Sequence, residues 1–477
     1  MLFNSYIFIF IFLPITFFIF FFLNSKRMVV AGKSFLVLSS LFFYSYWDKA
    51  YLPIILSSML INYAIGSSFL KKNDINKHLV LIIGISFNLF LLGYFKYMDF
   101  FIENFNIIFN QEIKLLYLTL PLAISFFTFQ QIAYLIDSYR GETKEYDFLN
   151  YSLFVTFFPQ LIAGPIVHHK QMMPQFTSLR NLFINYRNIL MGLFIFSIGL
   201  FKKVAIADTF SSWVATGFYN GSSLSFIDSW ATSLSYTFQI YFDFSGYSDM
   251  AIGIGLLFNI KLPINFNSPY KALDIQDFWR RWHITLSIFL RDYVYIPLGG
   301  NKGSSFSVYN NLMITFLIGG MWHGAGWTFI FWGFLHGFAI ILHRVWLQLN
   351  FKMNRILAWL ITFNFINISW IFFRADNFNE AIAILYGMLG FNGVNLPVSF
   401  SQFEYLKYFQ EYVSFGGLNH EQNIWVVLSL IVVLFFRNSL YLTLKCKFFI
   451  KVFIFTFTLN LGLLNMNRVS EFLYFNF

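Results

Sequence analysis

Long apolar runs, each close to the length that crosses a bilayer, recur along the whole chain. A helix needs about 20 mostly apolar residues to span the hydrocarbon core. The apolar windows lie near residues 6–23, 34–46, 51–70, 79–97, 115–136, 150–167, 188–207, 228–258, 310–320, 325–347, 356–373, 423–440 and 448–465. They predict an all-α fold, a polytopic integral membrane helical bundle of roughly 11–13 transmembrane or re-entrant helices. With no hydrophilic insert of domain size, residues 1–477 are expected to form one domain.

The shortage of charged side chains excludes the soluble classes. Charged residues make up 11% of the 477 positions and hydrophobic residues 58%, whereas an ordinary globular domain is about one quarter charged. A disulfide framework is excluded because Cys446 is the single cysteine. The net charge of +10 does not indicate nucleic-acid binding, because no soluble domain carries the basic residues. The lipid bilayer is therefore the expected surrounding.

The first apolar run is predicted to be a retained helix. A secretory signal peptide is basic before its apolar stretch and ends in small residues, whereas here Lys26 and Arg27 follow the stretch. Because short basic loops tend to stay cytoplasmic, this pair places the N-terminus outside. A plainer interpretation of pairs such as Lys202 and Lys203 is that they anchor helix ends in anionic headgroups.

Polar residues interrupt the apolar pattern first at residues 241–249, YFDFSGYSD. Polar groups at membrane depth are costly and mark functional sites by default. Gln239 and Asp243 are four residues apart and share a helix face with Tyr247, while Asp249 lies on a different face. Two interpretations stay open: a polar seam in which these groups satisfy one another, or the lining of a substrate cavity.

A second interruption covers residues 265–300, which are too charged for a simple span yet rich in aromatic residues. Asp277 can pair with Arg280 and Arg281 at helical spacing. The segment is predicted to be an interfacial or re-entrant helix, buried in protein or lining a cavity. His283 lies at its centre, and a histidine beside a tryptophan also has a purely structural interpretation.

The third interruption is a glycine-rich segment, residues 316–337, with His323 at its centre. Glycines let another backbone or a ligand approach closely and permit a helix to break. An ionisable side chain at this depth needs a partner or a purpose, and a core histidine bonded to a carbonyl is the alternative. The surrounding glycines are Gly319, Gly320, Gly324 and Gly326.

Two histidines that approach one cavity suit acid–base chemistry, because imidazole titrates near neutral pH. A neutral imidazole can take the proton of a hydroxyl as that oxygen attacks an activated acyl group. There is no G-x-S-x-G nucleophile motif. Metal ligation is weakly supported, because the chain has no H-E-x-x-H and the adjacent His168 and His169 cannot share one helix face. Spacing alone leaves a membrane enzyme and a transporter both open.

The chain resembles the membrane-bound O-acyltransferase (MBOAT) family, in the bacterial branch of alginate and peptidoglycan O-acetylation subunits. The resemblance covers about residues 120–375 and is highly specific when its motifs are taken together. The motifs are FPQLIAGPIVHHKQMMPQF (158–176), GLFKKVAIAD (199–208), YFDFSGYSDMAIGIGLLFNIKLPINFNSPY (241–270), FWRRWHITLSIFLRDYVYIPLGGN (278–301), GGMWHGAGWTFIFWG (319–333) and WIFFRA (370–375).

The resemblance implies which residues act. The family's W-H-G histidine falls on His323, as the essential catalytic base, and its R-W-H position falls on His283. Two funnels, one from the cytoplasm and one from outside, are expected to meet near His323. Trp282 and Trp322 are expected to position the acyl thioester. The other residues expected at the donor cavity are Arg280, Arg281, Asp277, Asp243, Tyr247 and Gly324.

The same resemblance implies the substrates and partners. The donor is expected to be a cytoplasmic acyl thioester, acetyl-CoA, with no permanently bound cofactor and no metal. An extracytoplasmic SGNH-type partner would complete transfer to a polysaccharide, and the chain would lie in the bacterial cytoplasmic (inner) membrane. Peptidoglycan is the preferred acceptor because it is the most widespread one. The alternatives are an alginate-like exopolysaccharide, D-alanyl transfer to teichoic acid and, outside enzymes, a glycan transporter.

Overall fold

The computed structural model describes residues 1–70, 76–143, 147–396, 412–415, 419–467 and 473. Within these ranges the chain forms 21 α-helices and a single two-stranded parallel sheet, in which Val394–Leu396 pairs with Val413–Phe415. The prediction of an all-α polytopic membrane bundle is confirmed.

The helices are numbered in chain order. The first group is α1 (Leu13–Ser25), α2 (Val29–Ser45), α3 (Tyr51–Ser68), α4 (Lys77–Leu92), α5 (Met98–Phe109), α6 (Ile124–Tyr139) and α7 (Phe148–Thr156). The second group is α8 (Phe158–Leu161), α9 (His169–Thr177), α10 (Tyr186–Phe201), α11 (Asp208–Tyr219), α12 (Phe226–Leu257), α13 (Ile275–Trp279) and α14 (Ile284–Leu290). The third group is α15 (Ser305–His323), α16 (Trp327–Gln348), α17 (Arg355–Arg374), α18 (Phe378–Met388), α19 (His420–Phe435), α20 (Ser439–Lys445) and α21 (Phe448–Asn465).

Seven helical stretches in the described part of the chain are long and apolar enough to cross a membrane. They are Phe8–Ser25, Tyr51–Ser68, Lys77–Phe109, Tyr186–Tyr219, Trp327–Gln348, Arg355–Arg374 and Phe448–Asn465. The pair of α19 and α20, bent by 50°, makes an eighth if it counts as one span. The chain is therefore a multi-pass membrane protein. Several long spans join two helices through a π-helical turn, as at Gly93–Tyr97 and Lys202–Ala207.

The predicted span near residues 115–136 is helical only from Ile124 onward, and residues 111–120 form no helix or strand. The carboxylate of Asp99 in α5 accounts for part of this difference. It accepts the backbone N–H groups of Leu116 and Tyr117 at 2.7 and 2.9 Å. Those contacts fold the segment back onto the first turn of α5, and its Leu118 and Leu120 line a cavity there.

The long helix α12 is the centre of the bundle and is buried along most of its length. It packs against α10, α11, α17, α18 and α19. Its contact with α10 depends on small residues, since a Cβ atom built on Gly246 would lie 2.8 Å from the carbonyl oxygen of Gly199. Such backbone proximity is how helices associate where both are surrounded by apolar material.

Candidate active site

The helix α15 ends at His323, which places this side chain inside the bundle. The residue is 2% exposed, and the extended backbone of Gly324 (φ −160°, ψ 152°) ends the helix directly after it. Aromatic rings enclose the imidazole. Its ring centroid lies 4.9 Å from that of Trp322, 5.2 Å from Trp332 and 5.0 Å from Phe373. The candidate base is thus held in an apolar, tightly packed environment.

Two glycines fix the position of His323 relative to α16. A Cβ atom on Gly333 would lie 2.5 Å from the carbonyl oxygen of Phe316 and 3.2 Å from the Cα of Gly320. A larger residue at this position would force the two helices apart. The expectation that the glycines of this segment allow close backbone approach is confirmed for the contact between α15 and α16.

The second predicted histidine, His283, lies at a break between two helices. The segment was expected to form one helix, but α13 ends at Trp279 and α14 begins at Ile284. His283 adopts a left-handed backbone conformation (φ 42°) in this break. Non-glycine residues seldom adopt that conformation, and such positions cluster at functional sites.

The side chain of Asn265 supports the break at His283. Its Oδ1 accepts the backbone N–H of Thr285 at 3.2 Å and the Thr285 hydroxyl at 2.6 Å. These bonds satisfy donors in the first turn of α14, where an N-terminal cap would otherwise act. The result is that the fully buried imidazole of His283 lies 6.5 Å, centroid to centroid, from that of His323. The structure therefore brings the two predicted catalytic histidines together.

Two cavities border the end of α15. The larger one, about 470 Å³, follows α15 from Leu312 to His323, and Arg280, Arg291 and Tyr295 line its other side. The smaller one, about 320 Å³, begins at the next residue, Gly324. Its other lining residues include Lys96, Asp99, Leu118 and Leu120. Since His323 lines one cavity and the next residue, Gly324, lines the other, we call this end of α15 the junction of the two cavities.

The helix α6 shows that the two cavities lie at different depths. Next to the smaller cavity, the indole N–H of Trp322 donates to the carbonyl of Ser125 in the first turn of α6, at 3.3 Å. Near Tyr295, which lines the larger cavity, the Tyr293 hydroxyl donates to Asp137 in the last turn of α6, at 2.7 Å. At 1.5 Å per residue these turns are separated by roughly 20 Å along the axis of α6.

The remaining predicted residues of the donor cavity fall into different places. Arg280 lines the larger cavity and Gly324 the smaller one. The Arg281 Nε donates to Asp277 at 2.9 Å, as the helical spacing predicted, and this half-buried pair closes the turn after α13. The structure shows an ion pair for Asp277 and Arg281.

The two predicted tryptophans also differ. Trp322 lies beside both histidines, its ring centroid 6.0 Å from that of His283 and 4.9 Å from that of His323. Trp282 is fully buried and packs against Trp370 at 4.9 Å. Trp322 can therefore shape the reaction centre directly, whereas Trp282 supports it from the aromatic core.

Asp243 belongs to a buried ion-pair cluster, and the structure does not bring it to either cavity. The ammonium of Lys203 lies 2.7 Å from Asp243 and 2.7 Å from Asp208. The neighbouring Lys202 lies 2.7 Å from Asp249. Asp243 and Asp249 therefore agree with the first of the two interpretations of residues 241–249, a polar seam in which buried groups satisfy one another. The lysines lie within the bundle, where they neutralise carboxylates, and do not anchor a helix end in the headgroups.

Tyr247 lies on the same helix and is likewise directed away from the two cavities. Its ring stacks on that of Phe3 at 4.8 Å, so it joins the N-terminal segment to α12. The structure therefore does not place Asp243 and Tyr247 at the donor cavity predicted for them. Their contacts come from distant segments of the chain, which a single sequence does not reveal.

A third buried histidine, His336, shows a different environment. Its Nδ1 accepts the indole N–H of Trp279 at 3.2 Å, which places the ring proton on Nε2. That nitrogen lies 3.1 Å from the hydroxyl of Ser369, which in turn donates to the carbonyl of Ile366. Both ring nitrogens of His336 are thus used within the protein, as expected of a structural histidine.

Lys96 is the site residue that the sequence reasoning missed. Its ammonium donates to the carbonyl of Trp322 at 2.6 Å, to that of His323 at 3.1 Å and to the Ser125 hydroxyl at 3.2 Å. The signal was present, because Lys96 is a charged residue inside the apolar window 79–97. The rule that singled out His323 applies to it equally.

Comparison with known proteins places these motifs in a family. The model of the membrane-bound O-acyltransferase family matches residues 137–379. The chain is 50% identical to a peptidoglycan O-acetyltransferase of Helicobacter pylori, in an alignment covering 100% of this chain and 98% of the relative. It is 39% identical to the probable alginate O-acetylase AlgI of Pseudomonas aeruginosa, over 82% and 75% of the two chains. A teichoic acid D-alanyltransferase of Streptococcus thermophilus is 28% identical over 49% and 59%.

Proposed function

This chain belongs to the membrane-bound O-acyltransferase family, and we propose that it moves an acetyl group from cytoplasmic acetyl-CoA to the hydroxyls of peptidoglycan. The observation that carries this proposal is the position of His323, buried at the junction of two cavities. The acceptor is inferred from the similarity over full length to a peptidoglycan O-acetyltransferase. Because the family is one of O-acyltransferases, the glycan-transporter hypothesis raised by the sequence is not retained.

The larger cavity suits a coenzyme A thioester. Its volume of about 470 Å³ lies in the range of small-molecule sites. Arg280 and Arg291 line it, and guanidinium groups bind phosphate oxygens in bidentate geometry. Arg291 already pairs with Asp292 at 2.7 Å, so Arg280 is the better placed of the two to meet a phosphate. The thioester would then extend along α15 toward His323.

In the proposed mechanism His323 acts as a general base. Its imidazole removes the proton of the acceptor hydroxyl while that oxygen attacks the carbonyl carbon of the thioester. The tetrahedral intermediate collapses as the carbon–sulfur bond breaks, and the thiolate leaving group takes the proton back from the imidazolium. His283 and Trp322, next to His323, orient the thioester. General base catalysis of this kind contributes roughly 10²–10⁴-fold in rate.

The smaller cavity suits one hydroxyl-bearing group and not a polymer strand, since its volume is about 320 Å³. We therefore propose that an extracytoplasmic SGNH-type protein receives the acetyl group there and passes it to the polysaccharide. The chain itself would lie in the bacterial cytoplasmic membrane, with the larger cavity open to the cytoplasm.

The test is to measure ester-linked groups in cell fractions. A strain that lacks the gene is complemented with the wild type or with His323→Ala, and acetate is released from isolated peptidoglycan and from exopolysaccharide. We expect peptidoglycan acetate to be lost and restored by the wild type alone. Loss confined to exopolysaccharide acetate, or to ester-linked D-alanine, would instead establish one of the two alternative acceptors. Unchanged esters in every fraction would overturn the proposed function.

A further inference from the structure

The end of α15 is held by two side chains from outside the region that the family model matches. The last carbonyls of a helix have no partner within the helix. Here the Tyr97 hydroxyl donates to the carbonyl of Met321. The Lys96 ammonium donates to the carbonyls of Trp322 and His323. The three final carbonyls of the helix that carries the candidate base are therefore capped by adjacent residues of another helix.

These two residues come from an unusual piece of backbone. Gly93–Tyr97 is a π-helical turn inside the long span Lys77–Phe109. Such turns are rare and are frequently found at functional sites. The turn brings Lys96 and Tyr97 together onto the end of α15, and Lys96 also lines the smaller cavity.

The hydrogen bonds of Lys96 decide what kind of role it can have. An ammonium group has three N–H donors. All three find acceptors, namely the carbonyls of Trp322 and His323 and the hydroxyl of Ser125, at 2.6–3.2 Å. With its donors occupied, Lys96 is not arranged to donate a proton to a substrate. Its positive charge lies at a helix C-terminus, where the helix dipole favours a cation.

We propose that Lys96 is a positioning residue of the acyl-transfer reaction, whose charged contact with the end of α15 holds the His323 imidazole at the junction of the two cavities. This inference rests on the proposed function. Because a misplacement of about 1 Å can cost roughly 100-fold in rate, the loss of this contact is expected to act on the reaction and not on donor binding. The donor cavity lies on the far side of His323.

The experiment compares neutral, charged and neighbouring variants in membranes supplied with acetyl-CoA. Lys96→Met and Lys96→Gln are both neutral, and Lys96→Arg keeps the charge. Tyr97→Phe is the matched control, since it removes an uncharged bond to the same turn. Each variant is characterised by its rate of acetyl transfer at saturating acetyl-CoA, its apparent KM for acetyl-CoA and its amount of folded protein.

We expect both neutral variants to lose about 100-fold in rate per folded enzyme, with an unchanged apparent KM. Lys96→Arg should retain most of the rate, and Tyr97→Phe, which removes one uncharged bond to the same turn, should lose far less rate per folded enzyme than the neutral Lys96 variants. A neutral variant that folds and transfers acetyl groups at the wild-type rate would overturn the inference. Equal losses in Lys96→Met and Tyr97→Phe, seen only in the amount of folded protein, would also overturn it.

His323→Ala separates this inference from the proposed function. If His323→Ala transfers acetyl groups normally, the proposed function is wrong. If His323→Ala is inactive and the neutral Lys96 variants are fully active, the proposed function stands and the role of Lys96 is wrong.

Discussion

The contacts of His323 and His336 distinguish a candidate base from a structural histidine. Both side chains are buried and both are surrounded by aromatic rings. His336 has an indole N–H on one ring nitrogen and a hydroxyl on the other, so its proton has a fixed place. His323 instead lines the cavity in which a thioester would bind.

The buried charges of α12 give a prediction about stability. The Lys203 ammonium forms ion pairs with the carboxylates of Asp208 and Asp243, and the Lys203 side chain is 3% exposed. Removing one partner of a buried pair costs about 3–5 kcal/mol, because a buried charge loses its counter-ion. We expect Lys203→Met to lower the melting temperature and the yield of folded protein sharply. Lys202→Met is the control, since its pair with Asp249 is more exposed, at 13%; an equal effect of both variants would contradict this account.

At this scale the sequence predicted the candidate base better than its surroundings. His323 could be predicted because it is an ionisable residue among glycines and carries a family motif. The location of Asp243 could not, because its partner Lys203 comes from a different helix. The isolated charge of Lys96 in an apolar window marked it for attention, but its contact with α15 could not be predicted, because backbone carbonyl acceptors have no signature in a sequence.

The helices themselves follow the apolar windows closely where a span is simple. The windows near 51–70 and 448–465 correspond to α3 and α21. The helices deviate from the predicted windows where hydrogen bonds of polar side chains determine the backbone conformation. Asp99 binds the backbone of Leu116 and Tyr117 in the non-helical residues 111–120, and Asn265 supports the break at His283. Both deviations lie next to the two cavities.

The contact between α15 and α16 gives a prediction at the level of elements. In Gly333→Ala the new methyl group would meet the carbonyl of Phe316, and overpacking of this kind costs about 1–3 kcal/mol. Because α15 carries His323 at its end, we expect acetyl transfer to fall at least tenfold, roughly the rate equivalent of 1.4 kcal/mol. The measurement is the transfer rate per folded enzyme in membranes.

Gly326→Ala is the matched control for that variant. Gly326 lies in the same motif, its backbone is extended (φ −163°), and a Cβ atom added there would have its nearest neighbour at 3.6 Å. It should therefore keep the wild-type rate. Loss of activity in Gly326→Ala, or wild-type activity in Gly333→Ala, would contradict the close packing of these helices as the reason.

For the whole molecule, the order of the spans assigns a side of the membrane to each cavity. With Lys26 and Arg27 in the cytoplasm and the shorter apolar helix α2 counted as a further crossing, we infer that the span Lys77–Phe109 ends outside. Residues 111–120, which wall the smaller cavity, are then extracytoplasmic. On the same inference the last turn of α6 is cytoplasmic, and the Tyr293 hydroxyl, two residues from Tyr295 of the larger cavity, donates to Asp137 in that turn.

Cysteine accessibility tests this orientation. In a Cys446→Ser background, Leu118→Cys and Arg291→Cys are treated with a maleimide that does not cross membranes. We expect Leu118→Cys to be labelled in intact cells and Arg291→Cys only after the membrane is opened. The reverse pattern would invert the proposed direction of acetyl transfer.

Composition alone was enough to predict a membrane bundle, since a chain with 11% charged residues cannot cover a soluble surface. The motifs predicted the family and the two histidines. Neither the composition nor the motifs could predict that the N-terminal helices contribute to the site, because those helices carry no family motif. Their contribution is seen only in contacts such as those of Lys96 with the end of α15.

The most direct test of the account is the rate of acetyl transfer from labelled acetyl-CoA, measured per folded molecule for His323→Gln and His336→Gln. We predict that His323→Gln keeps the wild-type melting temperature but loses at least about 100-fold in rate. His336→Gln should melt at a lower temperature and keep its rate per folded molecule. Acetyl transfer by folded His323→Gln at the wild-type rate would contradict the central claim.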